Sequence, residues 1–169
     1  MSNVRRLHAS DRIFFVTVNV RRGTAPFAED EFPMLIRALQ ESRRRLGFSL
    51  FGYVLMPDHW HALLFPSGPV TISQVIHDGK KVSARRLNQA RKSSGPFWQH
   101  QFWDRFVRYR KEFWERMEYM HLNPVARGLV KSPAGWRWSS YTQIMADGKA
   151  GAEPLIALDE AYLTDEYRA

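Results

Sequence analysis

The first strong pattern along the chain is the run Arg-Ile-Phe-Phe-Val-Thr-Val-Asn-Val over residues 12–20, β-branched and aromatic, which predicts a buried strand. Arg21, Arg22, Gly23 and Pro26 mark the loop that follows. From Glu29 to Leu46 the rhythm changes, with Phe32, Leu35, Ile36, Leu39 and Leu46 at helical spacing. Glu29-Asp30-Glu31 at the start and Arg43-Arg44-Arg45 at the end complement a helix dipole, and Gly47 stops it. Phe48 to Met56 is apolar on both faces, which predicts a second, central strand. Pro57-Asp58 turns the chain into a third strand, His59 to Phe65, closed by Pro66-Ser67-Gly68-Pro69. Residues 71–92 form a long basic amphipathic pattern, with Ile72, Val75, Ile76 and Leu87 on one side and Gly79 as a potential break. Phe102 to Val107 predicts a fourth strand. A helix from Lys111 to Leu122 ends at Asn123-Pro124, and a short helix lies over 139–145.

The order β-α-β-β-α-β followed by an extra helix predicts an α+β fold, the ferredoxin-like split-βαβ sandwich. Two helices cover one sheet face; the other is left for a ligand or the last helix. No internal repeat is present. The organisation expected is one domain over residues 1–147 and a loosely attached acidic tail over 148–169.

Composition narrows the function classes. At 169 residues the chain has room for one ordinary domain, and 44% hydrophobic residues, including 11 Phe, 6 Trp and 6 Tyr, exclude disorder throughout. The absence of cysteine excludes a disulfide scaffold, a cysteine-ligated zinc finger and a thiol nucleophile. No apolar run approaches the ~20 residues of a membrane helix, and the first residues lead into no signal-peptide core. A cytoplasmic location is expected. The net charge is +8, carried by 19 Arg and 6 Lys. From Ala152 onward five acidic residues face only Arg168, so this segment carries −4 and residues 1–151 carry +12. A body this basic, built on arginines that grip phosphate in bidentate fashion, points to a polyanion partner, nucleic acid first.

Two clusters can carry chemistry. His59 and His61 alternate along the third strand, so both imidazoles project from one face with Leu63 and Phe65. Such a pair can ligate a metal or simply pack. Asp58 beside it is either a supporting partner or the residue that makes the turn. On the helix over 111–122, Phe113, Trp114, Met117 and His121 fall in one sector, read as the core face. Tyr119 points away from that sector and shares its face with Arg116 and Asn123. A tyrosine, two imidazoles and an amide oxygen suffice for metal-assisted phosphoryl transfer, in which a phenolate attacks a polarised phosphate.

The run from Tyr53 to Leu64, YVLMPDHWHALL, closely resembles the YVLMPNHxHLL block of the single-tyrosine HUH transposases, the IS200/IS605-like group. Tyr119 to Val130, YMHLNPVARGLV, resembles their YIHLNPVRAGLV block. Gly95 to Trp103 and Trp136 to Tyr141 match two further blocks in the same order. The matching order spans roughly residues 5–145. The short length, the Arg5-Arg6 start and Phe14-Phe15-Val-Thr-Val are most similar to the REP-associated tyrosine transposases. The resemblance implies a ferredoxin-like HUH endonuclease working on single-stranded DNA hairpins. By position it makes Tyr119 the nucleophile and His59, His61 and Asn123 the ligands of Mg²⁺ or Mn²⁺. A 5′-phosphotyrosine intermediate then allows strands to be rejoined. Asp58 departs from the pattern, since many members carry Asn there. Asp58 and Arg116 are candidate supporting groups.

For DNA binding, the arm Arg5-Arg6, Arg21-Arg22, and Lys80, Lys81, Arg85 and Arg86 on the basic helix are candidate phosphate contacts. Phe97, Trp98, Phe102 and Trp103 can stack bases or fill core. Trp136 and Trp138 are expected to pack the C-terminal segment down. His8, His77, His100 and His121 are read as scattered polar or half-buried residues. The competing readings are a mobile IS200-type transposase, a catalytically silent hairpin-binding protein and a metal hydrolase unrelated to nucleic acid. The site is compatible with a monomer or a homodimer. The acidic tail could fold back on the basic groove and compete with DNA.

Overall fold

The computed structural model describes residues 10–145 and 155–159. Strands β1 (Phe14–Asn19), β2 (Ser49–Leu55), β3 (His59–Phe65) and β4 (Trp103–Phe106) form one antiparallel sheet in the order β2-β3-β1-β4. Helices α1 (Phe32–Leu46) and α2 (Ile72–Ala90) pack together on one face. Helix α3 (Arg110–Ala126) crosses the other face over β2 and β3, and a short α4 (Tyr141–Met145) follows. This is the expected split-βαβ sandwich with an added helix.

Alternation along the strands divides the core in two. Phe14, Val16, Val18, Trp60, Ala62 and Leu64 face α1 and α2. Phe15, Val54, Met56 and Leu63 face the other way, against Phe113, Met117 and Met120 of α3. Helix α3 can approach β2 closely because Gly52 lacks a side chain: a Cβ there would lie 2.5 Å from the Met117 sulfur and 2.6 Å from Met120 Cε.

Several boundaries differ from the sequence reading. The acidic residues 29–31 form a separate 3-10 turn before α1, which begins at Phe32-Pro33. Proline suits a first turn, where its missing N–H goes unneeded. Glu31 accepts from the Ala28 N–H at 2.8 Å and pairs with Arg91 at 2.6 Å, tying the start of α1 to the end of α2. Helix α2 runs unbroken through Gly79, which lets Leu39 of α1 pack close. Its start is a reciprocal cap between Thr71 and Gln74. Helix α3 also continues past Asn123-Pro124 to Ala126, so Asn123 lies inside the helix rather than at its stop.

Strand β2 is an edge strand, not a central one. Its apolar character has another cause: helices cover both faces and the C-terminal segment covers the outer edge. Leu55 N–H donates to Trp138 O at 2.8 Å, Ser140 N–H to Tyr53 O at 3.0 Å, and Asp159 N–H to Leu50 O at 2.9 Å. Trp138 stacks on Phe32 with centroids 5.0 Å apart, and Trp136 Nε1 donates to Leu55 O, so both tryptophans pin this segment as expected.

The described part of the acidic tail is not loosely attached. Ile156 is buried in the α1/α2 core, and Asp159 pairs with Arg43 at 2.5 Å. Leu50 N–H donates to the same carboxylate, at 2.8 Å. An apolar side chain and a paired acid anchor this stretch against α1 and β2. Residues 146–154 and 160–169 lie outside the described residues, as do Arg5, Arg6 and His8.

Candidate active site

The site is built on the sheet face that α3 crosses. Pairing of β1 with β3 sets Thr17 opposite His61 and Asn19 opposite His59. The His59 and His61 rings lie 4.7 Å apart, both buried. Each is oriented by a partner on its Nδ1 edge. His59 Nδ1–H donates to the Asp58 carboxylate at 2.6 Å. His61 Nδ1 meets Thr17 Oγ1 at 2.8 Å, and its ring stacks on Phe15 at 5.3 Å.

Burial disfavours the charged form of both imidazoles. It pulls His61 down to about 3, with the neighbouring His59 adding to the effect. Burial also lowers His59, against the opposing pull of Asp58. Burial pushes the Asp58 carboxyl up, but the His59 hydrogen bond and the charges of His59 and Arg127 outweigh it and hold the group below its ordinary value.

Helix α3 brings the remaining groups over this pair. The Tyr119 ring lies edge-on to His61 at 5.7 Å and to Phe15 at 6.0 Å, with half of its surface exposed. One turn on, Asn123 Nδ2 donates to His61 Nε2 at 3.2 Å. Arg116, one turn back, sets its guanidinium over the Phe15 ring at 5.6 Å. The buried stripe of α3 comprises Phe113, Met117, Met120, His121 and Pro124. Trp114, expected in that stripe, is 46% exposed and lines a groove with Leu122 and Tyr141. Met120 takes the centre instead, and this rotation swings Tyr119 from the far side of the helix to the flank that overlooks His61.

The donor set suits a divalent ion. Both Nδ1 edges are engaged, which makes Nε2 the coordinating edge of each ring; on His61 that nitrogen accepts from the Asn123 amide, which a bound ion would displace. Swapping the amide turns its oxygen to the same place. Among the described residues there is no cluster of three or more His, Cys, Asp or Glu, so the available ligands are two imidazoles and an amide.

The other candidate residues are dispersed. Arg21 and Arg22 are exposed in the loop after β1, at the sheet end where His59 lies. Lys81 and Arg85 are exposed on α2, across the sheet from the histidine pair, and Arg86 pairs there with Glu41. Lys80 turns inward and donates to the carbonyls of Gln99 and His100 at 2.6 and 2.9 Å. Phe97 and Trp98 are core, Phe102 packs against that core, and Trp103 alone of the four is largely exposed, edge-on to Phe15 at 6.1 Å. His77 and His100 are exposed; His121 is buried and bonds Ser140 Oγ at 2.9 Å.

Thr17 and Arg127 escaped the sequence reading. Thr17 is the polar interruption in an otherwise apolar strand, a signal that acquires meaning only once β1 is paired with β3. Arg127 caps α3 and stands 3.7 Å from Asp58.

A split-βαβ sheet with an imidazole pair on one face and a tyrosine-bearing helix across it is the frame of a transposase-type enzyme acting on DNA. The chain belongs to the IS200-like transposase family, whose profile matches residues 13–118. That span includes both histidines and ends one residue before Tyr119. The chain is 27% identical to the REP-associated tyrosine transposase of Escherichia coli K12, over 88% of this chain and 87% of that protein. It is 24% identical to a Haemophilus influenzae protein bearing a provisional form of the same name, over 83% and 86% of the two chains. Its fold matches the solved structure of a REP-associated tyrosine transposase bound to a REP hairpin, with a TM-score of 0.76 and 25% identity, covering 94% of this chain and 96% of that one.

Proposed function

We propose that the chain is a metal-dependent endonuclease and strand transferase acting on single-stranded DNA with repetitive palindromic hairpins, through a 5′-phosphotyrosine at Tyr119. The observation that carries this reading is the approach of Tyr119 and Asn123, one helical turn apart, to the same imidazole, His61. The relative bound to a REP hairpin supports the choice of substrate.

His59, His61 and Asn123 would hold Mg²⁺ or Mn²⁺, the imidazoles favouring Mn²⁺, and the ion would polarise the scissile phosphate. The Tyr119 oxygen forms a bond to phosphorus as the bond from phosphorus to the 3′ oxygen breaks. The phenolic proton passes to solvent, to which half of the side chain is open. The departing 3′ oxygen takes up a proton and leaves as a hydroxyl. Attack by another 3′-OH reverses the step and joins strands without an external energy source, since one phosphodiester is exchanged for another. Tyr119 reaches the histidine pair of its own chain, which supports a site completed in cis by a monomer.

The test is incubation with end-labelled hairpins taken from repeated palindromes of the source genome, with Mn²⁺ or Mg²⁺, beside Tyr119→Phe. A covalent protein–DNA adduct lost in the variant is expected. Tight hairpin binding without an adduct in either metal would replace this reading with that of a silent binding protein.

A further inference from the structure

Arg116, Tyr119, Asn123 and Arg127 follow one another at spacings of three, four and four residues, so they form a single stripe along α3. The stripe runs the length of the imidazole pair. Tyr119 and Asn123 stand over His61, whereas Arg127 reaches the His59 end, where Nη1 lies 3.7 Å from Asp58 Oδ2. The other Asp58 oxygen holds His59 Nδ1–H at 2.6 Å. One carboxylate therefore serves an imidazole and a guanidinium at once.

The two contacts of Asp58 differ in kind. The bond to His59 is short and on its buried side. The contact with Arg127 is long, and the two side chains are 56% and 50% exposed. An exposed pair at that distance has little cohesive energy and is readily exchanged for a better anion. A phosphodiester offers two oxygens to a guanidinium in bidentate geometry. At about 1.5 Å of rise per residue, Arg127 lies roughly 12 Å along the helix from Tyr119.

We propose that Arg127 is a DNA-backbone contact of the active site, parked on Asp58 in the free protein and transferred to a phosphate of the single strand flanking the hairpin. It rests on the DNA-strand reading above and extends it by giving the strand a direction across the site, from Tyr119 along α3 toward the turn at Asp58. Asp58, which stands where the family motif has Asn, keeps His59 oriented after Arg127 has left.

The experiment measures equilibrium binding of two labelled probes, a blunt stem-loop and the same stem-loop with single-stranded extensions, across a salt series without metal. The proteins are wild type, Arg127→Gln, Arg127→Lys and Asp58→Asn. For the extended probe, Arg127→Gln should lose about tenfold in affinity and lower the slope of log K against log salt by about one. Arg127→Lys should restore most of the slope, and Asp58→Asn should bind more tightly than wild type. Neither Arg127 variant should alter binding of the blunt probe. Equal losses on both probes, or no loss with Arg127→Gln, would overturn the proposal. An absence of adduct with wild-type protein defeats the nuclease reading separately, because these binding outcomes do not depend on cleavage. Failure of wild type to bind either probe defeats both.

Discussion

Met117 of α3 fills the space that a side chain at Gly52 of β2 would need, its sulfur 2.5 Å from the position of the missing Cβ. This contact sets how closely α3 lies on the sheet, and hence how far Tyr119 and Asn123 stand from His61. Gly52→Val should cost about 1–3 kcal/mol of stability by overpacking. It should reduce adduct formation beyond what the lost stability explains, because the helix must lift. Chemical denaturation together with adduct yield under fully folded conditions checks this. Normal yield would mean that the methionines yield and the helix does not.

Thr17 orients His61 from the strand beneath. Thr17→Val keeps the shape and removes the Oγ1 partner of Nδ1. Loss of such a supporting hydrogen bond costs about 10–100-fold in metal affinity at comparable sites. Calorimetric titration with Mn²⁺ should show a weakening in that range while the thermal transition stays close to wild type.

Trp103 is the exposed aromatic beside the site, on the edge strand and paired in register with Thr17. Trp103→Ala should weaken binding of single-stranded extensions by about 1–3 kcal/mol, the worth of one stacked base. Blunt stem-loops should bind unchanged. Tryptophan fluorescence quenching on addition of the extended probe, absent in the variant, gives an independent reading.

Glu31 and Arg91 join α1 to α2. The Arg91 hydrogen bonds are the largest influence on Glu31 and hold its carboxyl below the ordinary value, against the effect of burial. A depressed folded-state pKa gives stability that is fully present above the unfolded value near 4.5 and is lost as pH falls through the folded value. Glu31→Gln should therefore destabilise the protein by about 2 kcal/mol at neutral pH. Its stability should then fall less steeply than wild type below about pH 4.5. Parallel acid-denaturation curves for the two proteins would contradict this assignment.

Much of the fold was legible because its signals are local. The β-branched run of β1, the turn at Pro57-Asp58 and the alternation that sets His59 beside His61 each require only neighbouring residues. Relations decided by tertiary packing were not legible. The apolar faces of β2 suggested a central strand, whereas its outer edge is covered by residues from the far end of the chain. A proline suggested the end of α3, yet the helix carries Pro124 within its last turn and so keeps Asn123 in line with Tyr119. Helical periodicity over 111–122 admits either Trp114 or Met120 as a buried position, and only the glycine opposite makes the methionines fit. The dual role of Asp58 depends on Arg127, a residue distant in sequence that arrives at the turn on the end of α3.

The anchoring of residues 155–159 along β2 bears on how this protein meets other chains. An open strand edge is a template for pairing with a second polypeptide. On one side of the sheet Asp159 and the Trp138–Ser140 stretch already occupy the backbone groups of Leu50, Tyr53 and Leu55. Self-association by strand addition is blocked there by the molecule's own C-terminal region. The opposite border is β4, four residues long and carrying Trp103 and Arg105 on its exposed positions. A strand added to that border would run beside Trp103, so assembly through the sheet and the stacking of a base on that side chain would compete for one margin of the protein.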